Sequence, residues 1–249
     1  MVFGEVVKRG WSMFSLVKKA SQIAARRLAV LLATLCLPGL PVAAQPAETG
    51  DFRAPDLVEL VRLDPSIHLD IRYATTKNFT GRKLYPEARA FLQRPAAEAL
   101  LRAHRALKPR GYGLLIFDSY RPWSVTKLFW EATPPDKHKF VADPQKGSRH
   151  NRGCAVDVGL YDLRTGREVA MPSAFDEMSD SAAAEYKGGT TEQRRTRALL
   201  REALEKEGFK VNPDEWWHFD YQDWRLYPIL DMPFATIHAS PRTPEAGPP

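Results

Sequence analysis

Ser148-Arg149-His150-Asn151-Arg152-Gly153-Cys154-Ala155-Val156-Asp157 and, further along, Glu215-Trp216-Trp217-His218 hold the residue types from which a hydrolytic metal centre is built. A catalytic zinc takes three protein ligands from His, Asp or Glu, leaves its fourth position to water, and works beside a carboxylate that is not a ligand. His150, Asp157 and His218 can supply the three ligands, and Glu215, three residues before His218, can be that carboxylate. Gly153 permits a tight turn between His150 and the segment carrying Asp157, and Trp216 and Trp217 can form dry walls. Spacing alone leaves a second reading open, that both histidines are structural, because this is not the helical His-Glu-x-x-His pattern.

Other residues have competing readings. Arg121, in Asp118-Ser119-Tyr120-Arg121-Pro122, either pairs with a structural carboxylate such as Asp118 or places a fixed positive charge where a carbonyl oxygen becomes an oxyanion. His68, His104, His138 and His238 stand alone and read as structural. Cys154 alternates out of phase with Asp157 along a strand and reads as a packed thiol rather than a nucleophile.

The elements that must position these groups are legible as alternation and periodicity. Residues 67–73 alternate apolar and polar, as a half-buried strand would, and residues 113–118 form a compact apolar run suited to a buried strand. Residues 154–160 read as a strand with Ala155, Asp157 and Gly159 on one face and Val156 and Val158 on the apolar face, and residues 209–211 and 216–221 supply more strand. Helices are expected over 96–107, 125–130 and 192–206, the last with Leu199, Leu200, Ala203 and Leu204 on its buried stripe and Gly208 as a stop. Helices with hairpin-like strands and no regular βαβ alternation indicate an α+β domain with a central, mostly antiparallel sheet flanked by helices.

The ends differ in composition from this domain. Lys8, Arg9, Lys18, Lys19, Arg26 and Arg27 precede an apolar run at 28–37, a Pro38-Gly39 break and Val42-Ala43-Ala44, the order of a secretory signal peptide cut after Ala44. The apolar run is about half the ~20 residues of a spanning helix, so no stable membrane insertion is expected after cleavage. Residues 1–44 carry six Lys/Arg against one Glu, five of the formal net +6, which leaves the remainder near +1 and implies no nucleic-acid partner. Residues 45–55 read as a linker, 56–232 as the folded domain, and 233–249, rich in Pro, Ala and Thr, as a disordered tail. Cys154 is the one cysteine left after cleavage, which excludes an intramolecular disulfide in the oxidising export compartment. Nothing in the sequence fixes an oligomeric state.

Taken together, these motifs resemble the D-alanyl-D-alanine dipeptidases, the group that includes the vancomycin-resistance dipeptidase, within the zinc D-Ala-D-Ala metallopeptidases related to hedgehog signalling domains. Ser148-x-His150-x-x-Gly153-x-Ala155-x-Asp157 fits the wider superfamily. The segments at 73–81, Asp118-Ser119-Tyr120-Arg121-Pro122, Phe175-Asp176-Glu177-Met178 and Glu215-Trp216-Trp217-His218-Phe219 look like its dipeptidase branch. The resemblance implies one zinc ion per chain on His150, Asp157 and His218, with Glu215 as general base and then general acid. It also implies that Arg121 stabilises the tetrahedral intermediate, that Asp176 with Tyr73 holds the free ammonium of D-Ala-D-Ala, and that Ser148 contacts substrate near the metal. The signal peptide departs from family members that work in the cytoplasm and places this one in the periplasm, which counts against a role in resistance.

Two alternatives accompany this expectation: a zinc D,D-carboxypeptidase or endopeptidase trimming peptidoglycan stems, and a non-catalytic zinc-bearing binding module. The presence of both Glu215 and Arg121 argues against the module, since a structural zinc site needs neither base nor oxyanion donor.

Overall fold

A computed structural model of the chain describes residues 44–237. In chain order the elements are β1 (Leu57–Glu59), α1 (Leu60–Leu63), β2 (His68–Leu69), β3 (Phe91–Gln93), α2 (Arg94–Leu107), β4 (Tyr112–Asp118), α3 (Trp123–Ala132), β5 (Ala155–Asp162), α4 (Thr191–Glu205), β6 (Phe209–Asn212) and β7 (Glu215–Tyr221). The main sheet has the order β2-β4-β5-β7-β6, with β2 parallel to β4 and every other pair antiparallel, while β1 and β3 form a separate antiparallel pair. The α+β expectation with a mostly antiparallel central sheet therefore holds.

Local chemistry sets the helix limits. α2 begins two residues before the apolar stripe does, because Pro95 lies in the first turn, where its missing N–H has no helical partner in any case. α4 is started by Thr190 and Gln193 in a reciprocal capping box: the Gln193 N–H donates to Thr190 Oγ1 at 3.1 Å, and the Thr190 N–H to Gln193 Oε1 at 2.7 Å. Past its end, Gly208 takes φ +85°, the left-handed conformation that stops the chain from continuing as helix. α2 packs on both α4 and β4, and its Ala96, Ala97, Leu100 and Leu107 are buried.

Three expectations are corrected, for the strand at 67–73, the linker at 45–55 and the tail at 233–249. The strand at 67–73 shrinks to His68–Leu69, followed by a single 3₁₀ turn over Arg72–Ala74. Tyr73 uses its carbonyl to accept from the N–H groups of Leu84 and Tyr85 instead of joining a ladder. The Asp157 side of β5 is covered as well as its apolar side, since Phe117 and Trp216 lie over Gly159, and both faces of the strand are buried. At the ends, residues 45–53 clasp the domain rather than merely leading into it. The Gln45 amide donates to the Ile229 carbonyl at 2.8 Å, Glu48 accepts from the Ile229 N–H at 2.6 Å and from Arg152, and the Arg53 N–H donates to the Leu226 carbonyl at 2.8 Å. Likewise residues 233–237 belong to the core, because Phe234, buried against Tyr85 and Phe91, and the buried Ile237 sit on a short turn there. The signal peptide at 1–44, apart from Ala44, and the tail from 238 onward lie outside the described residues.

Candidate metal centre and active site

Three adjacent strands bring the carboxylates and one histidine into a row. Asp157 on β5 lies opposite His218 on β7 and, across the irregularity near the end of β4, opposite Asp118. Cross-strand partners stand about 4.5–5.5 Å apart, so residues distant in sequence become side-chain neighbours. His150 arrives from a 3₁₀ turn, His150–Arg152, that ends at Gly153 with φ +67°. A Cβ at Gly153 would stand 2.5 Å from Leu57, so both backbone angle and space require glycine here.

Glu215 and His218 are three apart, a spacing that puts side chains on opposite faces of a regular strand. The β6–β7 register shifts between Val211 and Asn212, and this irregularity lets both reach the same cavity. Glu215 Oε2 lies 3.8 Å from His218 Nδ1 and accepts from Asn212 Nδ2 at 3.0 Å.

The three candidate ligands converge on one point. His150 Nε2 is 3.1 Å from His218 Nδ1, His218 Nδ1 is 3.0 Å from Asp157 Oδ1, and His150 Nε2 is 3.3 Å from the same oxygen. Tetrahedral bonds of about 2.0–2.1 Å give ligand-to-ligand edges of about 3.3 Å, so this triangle has the size of one face of a zinc site. The tautomers agree. His150 Nδ1 is 2.6 Å from the Ser119 carbonyl, to which it donates, and His218 Nε2 is 2.9 Å from Asp220 Oδ1, to which it donates. With His218 neutral, both inward-facing nitrogens hold lone pairs beside a carboxylate, a donor set that one cation satisfies; without a metal, burial works to lower the His218 pKa, but Asp157 and Asp220 hold it well above the usual imidazole range. Burial works to raise the pKa of Asp157, but the two histidines hold it well below the usual carboxylate range. The residues present fit the implied metal.

Arg121 pairs with Asp118, as one of its two sequence readings has it, and also stands close to the candidate ligand Asp157. Its Nε and Nη2 donate to Asp118 Oδ2 at 2.9 and 2.8 Å, while Nη2 is also 3.8 Å from Asp157 Oδ2 and the guanidinium lies over the Phe129 ring at 4.3 Å. Asp118 is itself fixed, since Oδ1 accepts from the Tyr85 hydroxyl and the Ser119 N–H, each at 2.8 Å. The Arg121 charge is thus held rigidly at the edge of the ligand triangle.

In the same cavity, the Tyr73 hydroxyl donates to Asp176 Oδ2 at 2.6 Å. Asp176 has φ +64°, the one left-handed non-glycine residue among those described, a conformation that places its side chain at some cost. Burial, reinforced by the Asp157 charge and opposed by the Tyr73 hydrogen bond, raises the Asp176 pKa to about 7. Burial also raises that of Glu215 to about 7.

All eight sequence-derived candidates, Tyr73, Arg121, Ser148, His150, Asp157, Asp176, Glu215 and His218, line a single cavity of about 220 Å³ whose apolar walls include Phe79, Phe129, Phe140, Met178 and Trp217. Ser148 also supports the His150 turn, its hydroxyl accepting from the His150 N–H at 3.2 Å. Cys154 is buried and its thiol is pushed up to about 12, in keeping with packing rather than nucleophilic chemistry. His104 is buried against the Leu114 N–H and the Ser66 hydroxyl, His138 stacks on Trp130, and His68 stacks on Tyr161, so none of these joins the site. His238 lies outside the described residues.

Sequence reasoning passed over Asn151, which is fully buried inside the motif. It accepts from the Ser148 N–H at 2.7 Å and donates to the Arg121 carbonyl and Thr126 Oγ1, both at 2.8 Å, tying the His150 turn to α3. An amide between two functional residues was the available signal.

The family model described as D-ala-D-ala dipeptidase, Peptidase M15, matches residues 53–237. The D-alanyl-D-alanine dipeptidase of Escherichia coli (strain K12) is 33% identical over 180 residues, 72% of this chain and 92% of that protein. Those of Enterococcus faecalis (strain ATCC 700802 / V583) and Enterococcus faecium are each 34% identical, over 193 and 182 residues, covering 69% and 65% of this chain and 92% and 90% of theirs. With one matching segment running from the N-terminal clasp to the buried Phe234 turn and enclosing every residue of the cavity, the chain belongs to the M15 peptidases, in the D-Ala-D-Ala dipeptidase family.

Proposed function

We propose that this chain is a zinc-dependent dipeptidase that hydrolyses D-Ala-D-Ala to two D-alanines, with one zinc ion on His150, Asp157 and His218. The observation that carries the reading is the triangle of ligand atoms at 3.0–3.3 Å with Glu215 at 3.8 Å from one of them, facing a cavity that also holds Asp176. When bound there, zinc supplies an acidified water and a Lewis acid for the scissile carbonyl oxygen. Glu215 takes the proton of the attacking water and returns it to the leaving D-alanine nitrogen, a task suited to a carboxylate whose pKa lies near 7. Arg121, fixed by Asp118, faces the negative charge that develops on the carbonyl oxygen.

Asp176, oriented by Tyr73, pairs with the free ammonium of the dipeptide and sets its length. An acylated peptide brings no cation to this carboxylate, so the charge is left partly buried and unpaired. Ser148 contributes a substrate contact beside the metal. The charged, apolar and small-residue order of residues 1–44 supports export, so we place the mature domain in the periplasm.

The test is D-alanine release from D-Ala-D-Ala and, in parallel, from an N-acylated tripeptide ending in D-Ala-D-Ala. Release from the free dipeptide alone is expected. Comparable release from the tripeptide would assign the chain to cell-wall trimming, and release from neither would leave a binding module.

A further inference from the structure

The two candidate histidine ligands are held by different means. The outer nitrogen of His150 donates to a backbone carbonyl, that of Ser119, at 2.6 Å. The outer nitrogen of His218 meets a side chain, Asp220 Oδ1, at 2.9 Å. Asp220 follows His218 by two positions on β7 and therefore shares its face, and the pairs Ala155 with Asp220 and Asp157 with His218 fix both against β5. The other charged groups facing Asp220 are Arg149, whose Nε is 3.6 Å from Oδ2 and whose guanidinium lies over Trp224 at 4.7 Å, and the exposed Lys210 opposite it on β6. The Arg149 contact is longer than a hydrogen bond, whereas the His218 contact has hydrogen-bond length.

We propose that Asp220 is the positioning residue of the metal centre. Its carboxylate accepts the Nε2 proton of His218, which fixes the tautomer that leaves the Nδ1 lone pair free, and it sets the ring rotation that aims Nδ1 at Asp157 and His150. Without this acceptor the imidazole is free to turn about its bond to Cβ and to shift its proton to Nδ1, and either change removes one corner of the ligand triangle. The inference rests on the metal-dependent reading given above.

The experiment is the zinc dissociation constant of the full chain, measured by competition with a chromophoric chelator for the parent, Asp220→Ala, Asp220→Asn and Arg149→Ala. Removing such an outer partner weakens metal binding by about 10- to 100-fold in other sites, and that loss is expected for Asp220→Ala. Asp220→Asn keeps an acceptor oxygen in place without the charge, so its affinity is expected between those of the parent and the alanine variant. Arg149→Ala is expected to stay within about threefold of the parent, since Asp220 acts through His218 and not as the partner of Arg149. The thermal midpoints of the metal-free proteins separate a weaker site from a weaker fold, and Asp220→Asn carries the test if the alanine variant does not fold.

Zinc binding by both Asp220 variants within about twofold of the parent would overturn the proposal, as would an Arg149→Ala loss equal to that of Asp220→Ala. Affinity is read without substrate, so a parent that binds zinc but releases no D-alanine refutes the dipeptidase and not this role. A parent that binds no zinc refutes both.

Discussion

Replacing Tyr73 by Phe removes one hydroxyl and tests how the cavity recognises an ammonium. The Tyr73 hydroxyl donates to Asp176 Oδ2 at 2.6 Å from a fully buried ring, and burial already holds the Asp176 pKa at about 7. The hydrogen bond favours the charged carboxylate, so its loss raises the pKa further. A hydrogen bond to a charged group contributes about 1.5–3 kcal/mol, and about 1.4 kcal/mol is one pKa unit, which moves Asp176 from about 7 to about 8–9. At pH 7 the ionised fraction then falls from about one half to between about a tenth and a hundredth, and KM for D-Ala-D-Ala rises about 5- to 50-fold. Near pH 9.5 both proteins are largely ionised at Asp176 and the difference closes. The assay is initial-rate D-alanine release from pH 6 to 10, expressed as the ratio of variant to parent KM so that titration of the substrate's own amine cancels. A KM ratio that does not change with pH, or a loss confined to kcat, would refute the reasoning.

Three further outcomes follow from the geometry. Glu215→Gln keeps the three ligands and is expected to retain zinc while kcat falls by about 10²- to 10⁴-fold, as read by metal analysis beside kinetics. Arg121→Lys gives up the two-nitrogen grip on Asp118 and is expected to lower kcat/KM by about 10²- to 10³-fold with metal content unchanged. His104, buried and near Lys108, has its pKa lowered to about 4 against an unfolded value near 6.5. Between these values the unfolded chain binds a proton that the fold refuses, so stability is complete above about pH 6.5 and declines toward pH 4, by at most about 1.4 kcal/mol per unit. Urea unfolding of metal-stripped protein at pH 7, 6 and 5 should show a flatter decline in His104→Gln than in the parent.

The site was more legible in the sequence than the fold that carries it. His150, Asp157, Glu215 and His218 stood out by residue type beside a glycine turn and paired tryptophans, but their spacing left both histidines open to a structural reading, and the family resemblance decided between the two. Glu215 and His218 were nonetheless three apart on a strand, a spacing that favours opposite faces, and only the register shift at Asn212 reconciles them. Asp176 and Tyr73 were raised only by the family resemblance, since their partnership spans 103 positions and depends on a left-handed backbone at Asp176.

Secondary structure was clear where periodicity was long, as in α2, β4 and α4, and obscure where elements are short. β1 and β3 have three residues each, too few for a pattern, and the expected strand at 67–73 broke because Tyr73 turns inward to accept from Leu84 and Tyr85. Composition misplaced both ends of the domain. The clasp at 45–53 holds through single polar groups such as Glu48, and the turn at 234–237 through Phe234 and Ile237, too few residues to shift a compositional average.

If a cation on His150, Asp157 and His218 drives hydrolysis of D-Ala-D-Ala, as proposed, activity must follow bound metal. The most direct measurement strips the purified protein with a chelator, returns zinc in sub-stoichiometric steps, and follows D-alanine release against bound metal. No release is expected from the stripped protein, followed by a linear recovery that levels at one zinc per chain. Undiminished release from metal-free protein would contradict the proposal.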